Sequence, residues 1–144
     1  MTRLALIGYG NVARALARLL RQQYAKFPFR ITGIHTARHG TVVSARGITL
    51  DPVFGAPAAS IDEFLDAAQA DIAVELTTLN PATGEPAISH IRAAFARRVH
   101  VVTANKGPIA HAYAELREMA ARQRVEFRFE STVMDGAPVF NLVR

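Results

Sequence analysis

Two glycines near the N-terminus lie where the backbone could bind phosphate oxygens. Gly8 and Gly10 follow a short apolar run and lead directly into a pattern with helical spacing. In such a strand-to-helix turn, the first glycine permits the tight bend, and the second lets a pyrophosphate approach without a Cβ in its way. The free amides of the first helical turn would then receive the phosphate oxygens. These amides belong to Asn11, Val12 and Ala13. The turn predicts a dinucleotide-binding site, although glycines also occur in ordinary tight turns.

The residues after the second predicted strand bear on which dinucleotide would bind. A carboxylate at this place normally accepts a hydrogen bond from the ribose 2′-hydroxyl, and positions 34–40 contain none. Thr36 and Arg38 are found there instead. A guanidinium group pairs well with a phosphate through parallel hydrogen bonds. The segment therefore favours NADP(H) over NAD(H). The alternative is that Arg38 and His39 simply lie in an exposed loop.

The elements that would position these residues alternate between strands and helices. Predicted strands cover residues 4–7, 30–36, 71–76, 100–103 and 125–130. Predicted helices lie between residue 12 and the segment 27–29, after Ser60, at 86–97 and at 110–123. Such alternation implies right-handed crossovers and a parallel sheet. The predicted class is α/β, a Rossmann-like doubly wound, mostly parallel sheet with helices on both faces.

Three local patterns add detail to this outline. Ser60 and Glu63 form a predicted capping box, each satisfying a backbone amide of the other residue. Residues 37–59 are assigned mostly to a loop, because glycines and prolines separate their short apolar fragments, and a third strand could be hidden there. The first helix is predicted to present one apolar stripe, formed by Val12, Ala15, Leu16, Leu19 and Leu20.

Composition restricts the class of protein further. Half of the 144 residues are apolar and 20% are charged, as expected for one folded domain. The absence of cysteine excludes disulfides, thiolate metal sites and cysteine nucleophiles. No apolar run could cross a bilayer and no secretory signal begins the chain, so we expect a cytoplasmic protein without a membrane partner. The formal net charge is +5, but the basic residues are dispersed, and a nucleic-acid partner is not expected.

A motif at the end of a predicted buried strand, together with two others, suggests a family. In open α/β sheets ligands lie at the carboxyl ends of strands, and residues 103–106 read Thr-Ala-Asn-Lys at such an end. This stretch resembles the Thr-x-Asn-Lys signature of homoserine dehydrogenases. The glycine turn and the segment 130–138 are also similar to that family's pattern, in the same order and with similar spacing. The resemblance covers nearly the whole chain, but only the N-terminal part of the family's architecture.

The resemblance implies NAD(P)-dependent interconversion of L-homoserine and L-aspartate 4-semialdehyde, on the route to threonine and methionine. Lys106 matches the family's lysine at the nicotinamide end of the cofactor, proposed to take part in proton transfer and substrate positioning. A lysine can do so if burial lowers its pKa; the alternative is a solvated loop lysine. Thr77 and Thr78 match positions that contact the cofactor. The resemblance also places Asn105 and Lys106 among the cofactor contacts. Asn105 is expected to shape the turn that presents Lys106.

The resemblance also implies a monovalent cation, such as sodium, bound by oxygens that are largely backbone carbonyls. The matching positions are Glu130, Val133, Asp135 and Ala137. The sequence departs from the family here, since members usually have a small residue or glycine where this chain has Met134 and Asp135.

The resemblance further implies that residues 1–138 form the NAD(P)-binding domain and that 139–144 begin the connection to a substrate-binding and dimerisation domain outside this chain. That domain would bind the small amino-acid substrate and make the full-length protein a homodimer. The chain alone is expected to bind cofactor with little or no turnover. The alternative is a stand-alone NAD(P)-binding or sensor module without catalysis, because a fold does not determine a function.

Overall fold

The short apolar runs of the sequence pair into one six-stranded sheet in the computed structural model, which describes residues 1–132. The strands are β1 (Thr2–Ile7), β2 (Phe29–Thr36), β3 (Gly40–Val43), β4 (Ile72–Glu75), β5 (His100–Thr103) and β6 (Phe127–Arg128). Their order across the sheet is β3-β2-β1-β4-β5-β6. All neighbours are parallel except β2 and β3, which are antiparallel. The predicted fold class is confirmed.

Helices cover both faces of this sheet. They are α1 (Asn11–Gln22), α2 (Ile61–Ala68), α3 (Ala87–Ala96) and α4 (Lys106–Gln123), and a 3₁₀ turn follows at Glu130–Thr132. One core cluster packs α2, α3 and α4 against one face, around Phe64, Phe95 and Leu116. A smaller cluster packs α1 against the other face through Ala13. Within residues 1–132, no helix is long and apolar enough to cross a membrane.

Helix α1 buries only part of the predicted apolar stripe: Leu20 is buried, but Val12, Ala15 and Leu19 are not. Its buried residues are Ala13, Ala17 and Leu20, whereas Val12 and Leu19 are 61% and 49% exposed. Ala15 is also exposed, and Leu16 is half-buried. The small side chains of Ala13 and Ala17 let the helix backbone approach the sheet closely, so packing distance rather than hydrophobicity selects the buried face.

Several element boundaries also differ from the predictions. Part of the predicted loop 37–59 is the edge strand β3, which forms a hairpin with β2. Helix α1 ends at Gln22, before the proline, and the last strand covers only Phe127–Arg128. Helix α4 begins at Lys106 rather than Ala110 and is kinked at Ala112, where φ is −141°.

The helix ends are capped in two ways. At the start of α2, the Ser60 hydroxyl accepts a hydrogen bond from the Glu63 amide at 3.1 Å. The Glu63 carboxylate in turn accepts from the Ala59 amide at 2.7 Å, so the predicted reciprocal bond to Ser60 is displaced by one residue. At the C-termini, Gln69 after α2 and Arg124 after α4 adopt left-handed backbone conformations, with φ of 46° and 57°.

Candidate cofactor-binding site

The turn after β1 requires glycine at its first position. Gly8 has a φ of +97°, and a Cβ there would lie 2.7 Å from the carbonyl oxygen of Leu76. The Gly8 amide donates a hydrogen bond to the carbonyl oxygen of His35 at 2.8 Å. The turn is therefore held between β2 and the loop after β4, at the carboxyl edge of the sheet.

Gly10 differs from Gly8, because the space beside it is open. A Cβ at Gly10 would have no atom of residues 1–132 within 4 Å. Gly10 is the N-cap of α1, no side chain caps the helix, and its first turn contains no acidic residue. The amides of Asn11, Val12 and Ala13 precede the first intrahelical bond and point outward along the helix axis. Among the described residues, therefore, no side chain caps these amides and no acidic side chain of the first turn would repel an anion that binds them.

A groove of about 670 Å³ adjoins this turn. It brings together residues predicted separately from the glycine turn, the end of β2 and the loop after β4. These are Gly8, Gly10, Thr36, Arg38, Thr77 and Thr78. No Asp or Glu lines the groove among the described residues. The volume is within the range of small-molecule sites.

Thr36 and Arg38 have different places in this groove. The Thr36 side chain is buried, donates a hydrogen bond to the Gly40 carbonyl oxygen at 3.2 Å and accepts one from the His39 amide at 2.8 Å. Its hydroxyl therefore holds the turn between β2 and β3. Arg38 lies on that turn and is exposed, with no ion pair to a described carboxylate.

A second pocket, of about 210 Å³, lies on the other side of the glycine turn, between the loops that follow β4 and β5. Lys106, Asn105 and Thr77 line it, together with apolar side chains such as Val12 and Leu76. Lys106 is the first residue of α4 and its side chain is exposed. Asn105 is buried and caps the helix, because its side-chain oxygen accepts from the Gly107 amide at 3.0 Å.

The sequence analysis missed Glu75, the last residue of β4. It is 1% exposed. Its carboxylate accepts hydrogen bonds from Thr77, through both the amide at 3.0 Å and the hydroxyl, and from the Thr103 hydroxyl at 3.0 Å. The available signal was a charged residue inside a predicted strand of apolar neighbours, since Glu is rarely buried unless it is paired.

Two histidines lie in the floor of the larger groove. The Nδ1 atom of His90 is buried, has no hydrogen-bond partner within residues 1–132 and lies 3.9 Å from Glu75 Oε1. His35 contacts the ring of Phe64, and its Nδ1 atom is 2.8 Å from the Thr41 hydroxyl. Burial lowers the pKa of His35, and the nearby His90 lowers it further.

The predicted cation site falls mostly outside the described residues. Glu130 lies in the 3₁₀ turn, and one of its carboxylate oxygens is buried without a hydrogen-bond partner among the described residues. Val133, Asp135 and Ala137 are outside the range that the structure describes. Residues 1–132 contain no group of three or more His, Cys, Asp or Glu side chains that could hold a metal ion.

Comparison with known sequences identifies relatives along almost the whole chain. Residues 8–130 match the family model described as the NAD-binding domain of homoserine dehydrogenase. The chain is 38% identical, over 99% of its length, to the NAD(+)-dependent homoserine dehydrogenase of Pseudomonas canavaninivorans, of which it covers 46%. It is 33% identical, over 96% of its length, to the homoserine dehydrogenase of Methanocaldococcus jannaschii, of which it covers 47%. The chain thus spans about half the length of these relatives.

Solved structures share the same fold. A homoserine dehydrogenase from Thermoplasma acidophilum superposes with a TM-score of 0.83 at 23% identity, covering 99% of this chain and 47% of that one. A hyperthermophilic archaeal homoserine dehydrogenase in complex with NADPH superposes with a TM-score of 0.82 at 25% identity, covering 99% and 48% respectively.

Proposed function

The chain belongs to the homoserine dehydrogenase family, of which it carries the NAD-binding domain. From this premise we propose that it binds a nicotinamide dinucleotide across the carboxyl edge of its sheet, for an oxidoreductase that interconverts L-homoserine and L-aspartate 4-semialdehyde. The observation that carries the proposal is the open N-terminus of α1 at Gly10, with a cavity on each side of it.

The three parts of the dinucleotide would lie along this edge. The pyrophosphate fits the amides of Asn11, Val12 and Ala13, where the helix dipole favours negative charge. The larger groove suits the adenosine half, because it includes the end of β2, where the ribose is normally recognised. The smaller, partly apolar pocket beside Lys106 then suits the nicotinamide, which would supply hydride transfer when bound.

We propose that NADP(H) binds more tightly than NAD(H). The groove contains no described carboxylate to accept a hydrogen bond from a ribose 2′-hydroxyl, and the exposed Arg38 can pair with a 2′-phosphate. The relatives do not decide the point, because the Pseudomonas protein is named NAD(+)-dependent and the archaeal structure contains NADPH.

Lys106 is proposed to act as the acid–base group toward the substrate hydroxyl. It lies beside the pocket assigned to the nicotinamide. The carbinol carbon that gives its hydride to the nicotinamide would lie there too, with its hydroxyl within reach of a group that takes the proton. The Lys106 side chain is exposed in this chain, and we expect a second domain to cover it in the full-length protein. We assign the amino-acid substrate and homodimer formation to that domain, and a sodium site remains a proposal. The alternative of a binding module without catalysis is less favoured, because the relatives are named as dehydrogenases.

Calorimetric titration of the chain with NADPH and with NADH tests the binding proposal. Saturable binding of one dinucleotide per chain is expected, and the absence of binding by both would overturn the proposal. The proposed reaction needs the full-length protein, in which NADP⁺ reduction that depends on L-homoserine is the expected result.

A further inference from the structure

The Glu75 carboxylate joins the two loops that line the smaller pocket. Its Oε1 atom accepts from the amide and hydroxyl of Thr77, in the loop after β4. Its Oε2 atom accepts from the Thr103 hydroxyl, at the end of β5. Glu75 itself lines neither cavity, so any effect on a ligand must pass through these partners.

The network continues from Thr103 to the start of α4. The Thr103 hydroxyl accepts a hydrogen bond from the Asn105 amide at 3.0 Å. The Asn105 side chain donates to the Thr77 carbonyl oxygen at 3.1 Å, which closes a ring of contacts between the two loops. Through its other side-chain atom, Asn105 caps α4 at Gly107, so Lys106 is held between two fixed residues.

A buried carboxylate adds little net free energy of folding. Removing its charge from water costs several kcal/mol, and well-packed apolar residues often stabilise a core as well or better. A fully hydrogen-bonded polar network instead selects one geometry. Two residues of this network, Thr77 and Asn105, line the pocket assigned to the nicotinamide. A fixed geometry there would help to orient the nicotinamide.

We infer that Glu75 and Thr103 are positioning residues that fix Thr77, Asn105 and Lys106 against the nicotinamide end of the cofactor. The inference rests on the proposed dinucleotide site. It implies that loss of the network weakens contacts with the nicotinamide and leaves contacts with the adenosine and pyrophosphate unchanged.

A pair of threonine substitutions separates positioning from general stability. Thr103→Val removes the hydroxyl that links Glu75 to Asn105. Thr32→Val is the matched control, because Thr32 is equally buried at 1% exposure but donates to the carbonyl oxygen of Ala68 at 2.9 Å and lines neither cavity. Both variants are expected to lose stability in thermal unfolding.

Two ligands distinguish the ends of the site: NADPH, and ADP-ribose 2′-phosphate, which lacks the nicotinamide. Thr103→Val should weaken NADPH binding about tenfold, the effect of losing a hydrogen bond to a charged group. It should change the affinity for ADP-ribose 2′-phosphate less than about twofold and should alter the fluorescence of bound dihydronicotinamide. Thr32→Val should leave all three readouts unchanged, and Thr103→Ser, which keeps the hydroxyl, should restore parental binding. Glu75→Gln should reproduce the selective loss, because an amide cannot accept on both sides.

Three results would overturn the inference while the proposed function stands: equal loss for both ligands, parental NADPH binding by Thr103→Val, and equal affinity of the parent chain for both ligands. Failure of the parent chain to bind NADPH and NADH would instead remove the proposed function itself.

Discussion

At the scale of single residues, Arg38 is where the choice between the two dinucleotides is expected to be made. Its guanidinium is exposed on the turn between β2 and β3, at the edge of the larger groove. Arg38→Ala should weaken NADPH binding by about 1.5–3 kcal/mol, which is roughly 10- to 150-fold in Kd, and leave NADH binding unchanged. Calorimetry with the two cofactors measures the difference directly.

Arg46→Ala is the control for this prediction, because it removes the same charge from an exposed residue that does not line the groove. It should change neither affinity appreciably. Equal affinity of the parent chain for NADPH and NADH would contradict the assignment of Arg38.

A separate prediction concerns the effect of Lys106 on turnover, which must be measured in the full-length protein. Lys106→Ala should leave cofactor affinity largely intact, because the pyrophosphate and adenosine contacts lie elsewhere and Thr77 and Asn105 still line the nicotinamide pocket. It should lower turnover by about 10²–10⁴-fold, the effect of a positioned acid–base group. Lys106→Arg should not restore activity, since guanidinium does not lose its proton near neutral pH. Turnover above about a tenth of the parental rate in steady-state assays would make Lys106 a bystander.

At the same scale, candidate site residues on the loops could be predicted from the sequence, whereas the buried Glu75 could not. Gly8, Gly10 and Arg38 could be proposed from the sequence because the turns that carry them have recognisable chemistry, and the structure places all three along one groove. Glu75 was missed because one of its partners, Thr103 at the end of β5, lies 28 residues away in sequence. Only the pairing of β4 with β5 brings them together.

At the scale of elements, the two glycines of the turn between β1 and α1 have different roles: Gly8 is needed for the fold and Gly10 for binding. Gly8→Ala would place a Cβ 2.7 Å from the Leu76 carbonyl oxygen at a φ of +97°, so we expect a loss of stability of about 1–3 kcal/mol. Gly10→Val places a Cβ with no atom of the described part of the chain within 4 Å, and this variant should fold normally. It should nevertheless abolish NADPH binding, because the branched side chain would occupy the pyrophosphate position.

Circular dichroism and calorimetry on the same two variants test this contrast. A folded Gly10→Val variant that binds NADPH with parental affinity would show that the pyrophosphate lies elsewhere. Thermal unfolding of Gly8→Ala at the parental temperature would show that the turn relaxes without cost.

Element types were predicted better than element boundaries, for physical reasons that differ from case to case. The side-chain cap from Asn105 starts α4 four residues earlier than its apolar periodicity indicates. The bounds of strand β3 could not be predicted from its own residues, because the strand is defined by its antiparallel pairing with β2. On α1, contact with the sheet selects the small residues Ala13 and Ala17, so the buried face overlaps the stripe predicted from hydrophobicity only at Leu20 and partly at Leu16.

At the scale of the whole molecule, the effect of pH on stability follows from groups with lowered pKa values. The pKa of His35 lies below its ordinary value of 6.5 because burial, and then His90, disfavour the charged form. A group of this kind contributes stability above its unfolded pKa and loses it as pH falls through the lower folded value. The Arg3 guanidinium lowers the pKa of Asp71 in the same sense, in a window below about 4.

We therefore expect the thermal unfolding temperature to fall as the pH is lowered from 7.5 to about 5, and His35→Gln to flatten this part of the profile. His111→Gln, which changes an exposed histidine, is the control. A His35→Gln variant that loses stability with the parental pH dependence would assign the loss to groups other than His35.

The left-handed residues at the helix ends make the domain a candidate for thermostabilisation. Gln69 adopts a φ of 46° after α2, a conformation that costs a residue with a Cβ about 1–2 kcal/mol. Gln69→Gly should remove this cost, partly offset by the greater entropy of glycine in the unfolded chain, and raise the free energy of unfolding by about 0.5–1 kcal/mol. Gln69→Ala keeps the Cβ and should give no such gain in urea denaturation. If both variants had the same unfolding midpoint, the strain at this position would be negligible, and directed evolution would find no advantage in placing glycine there.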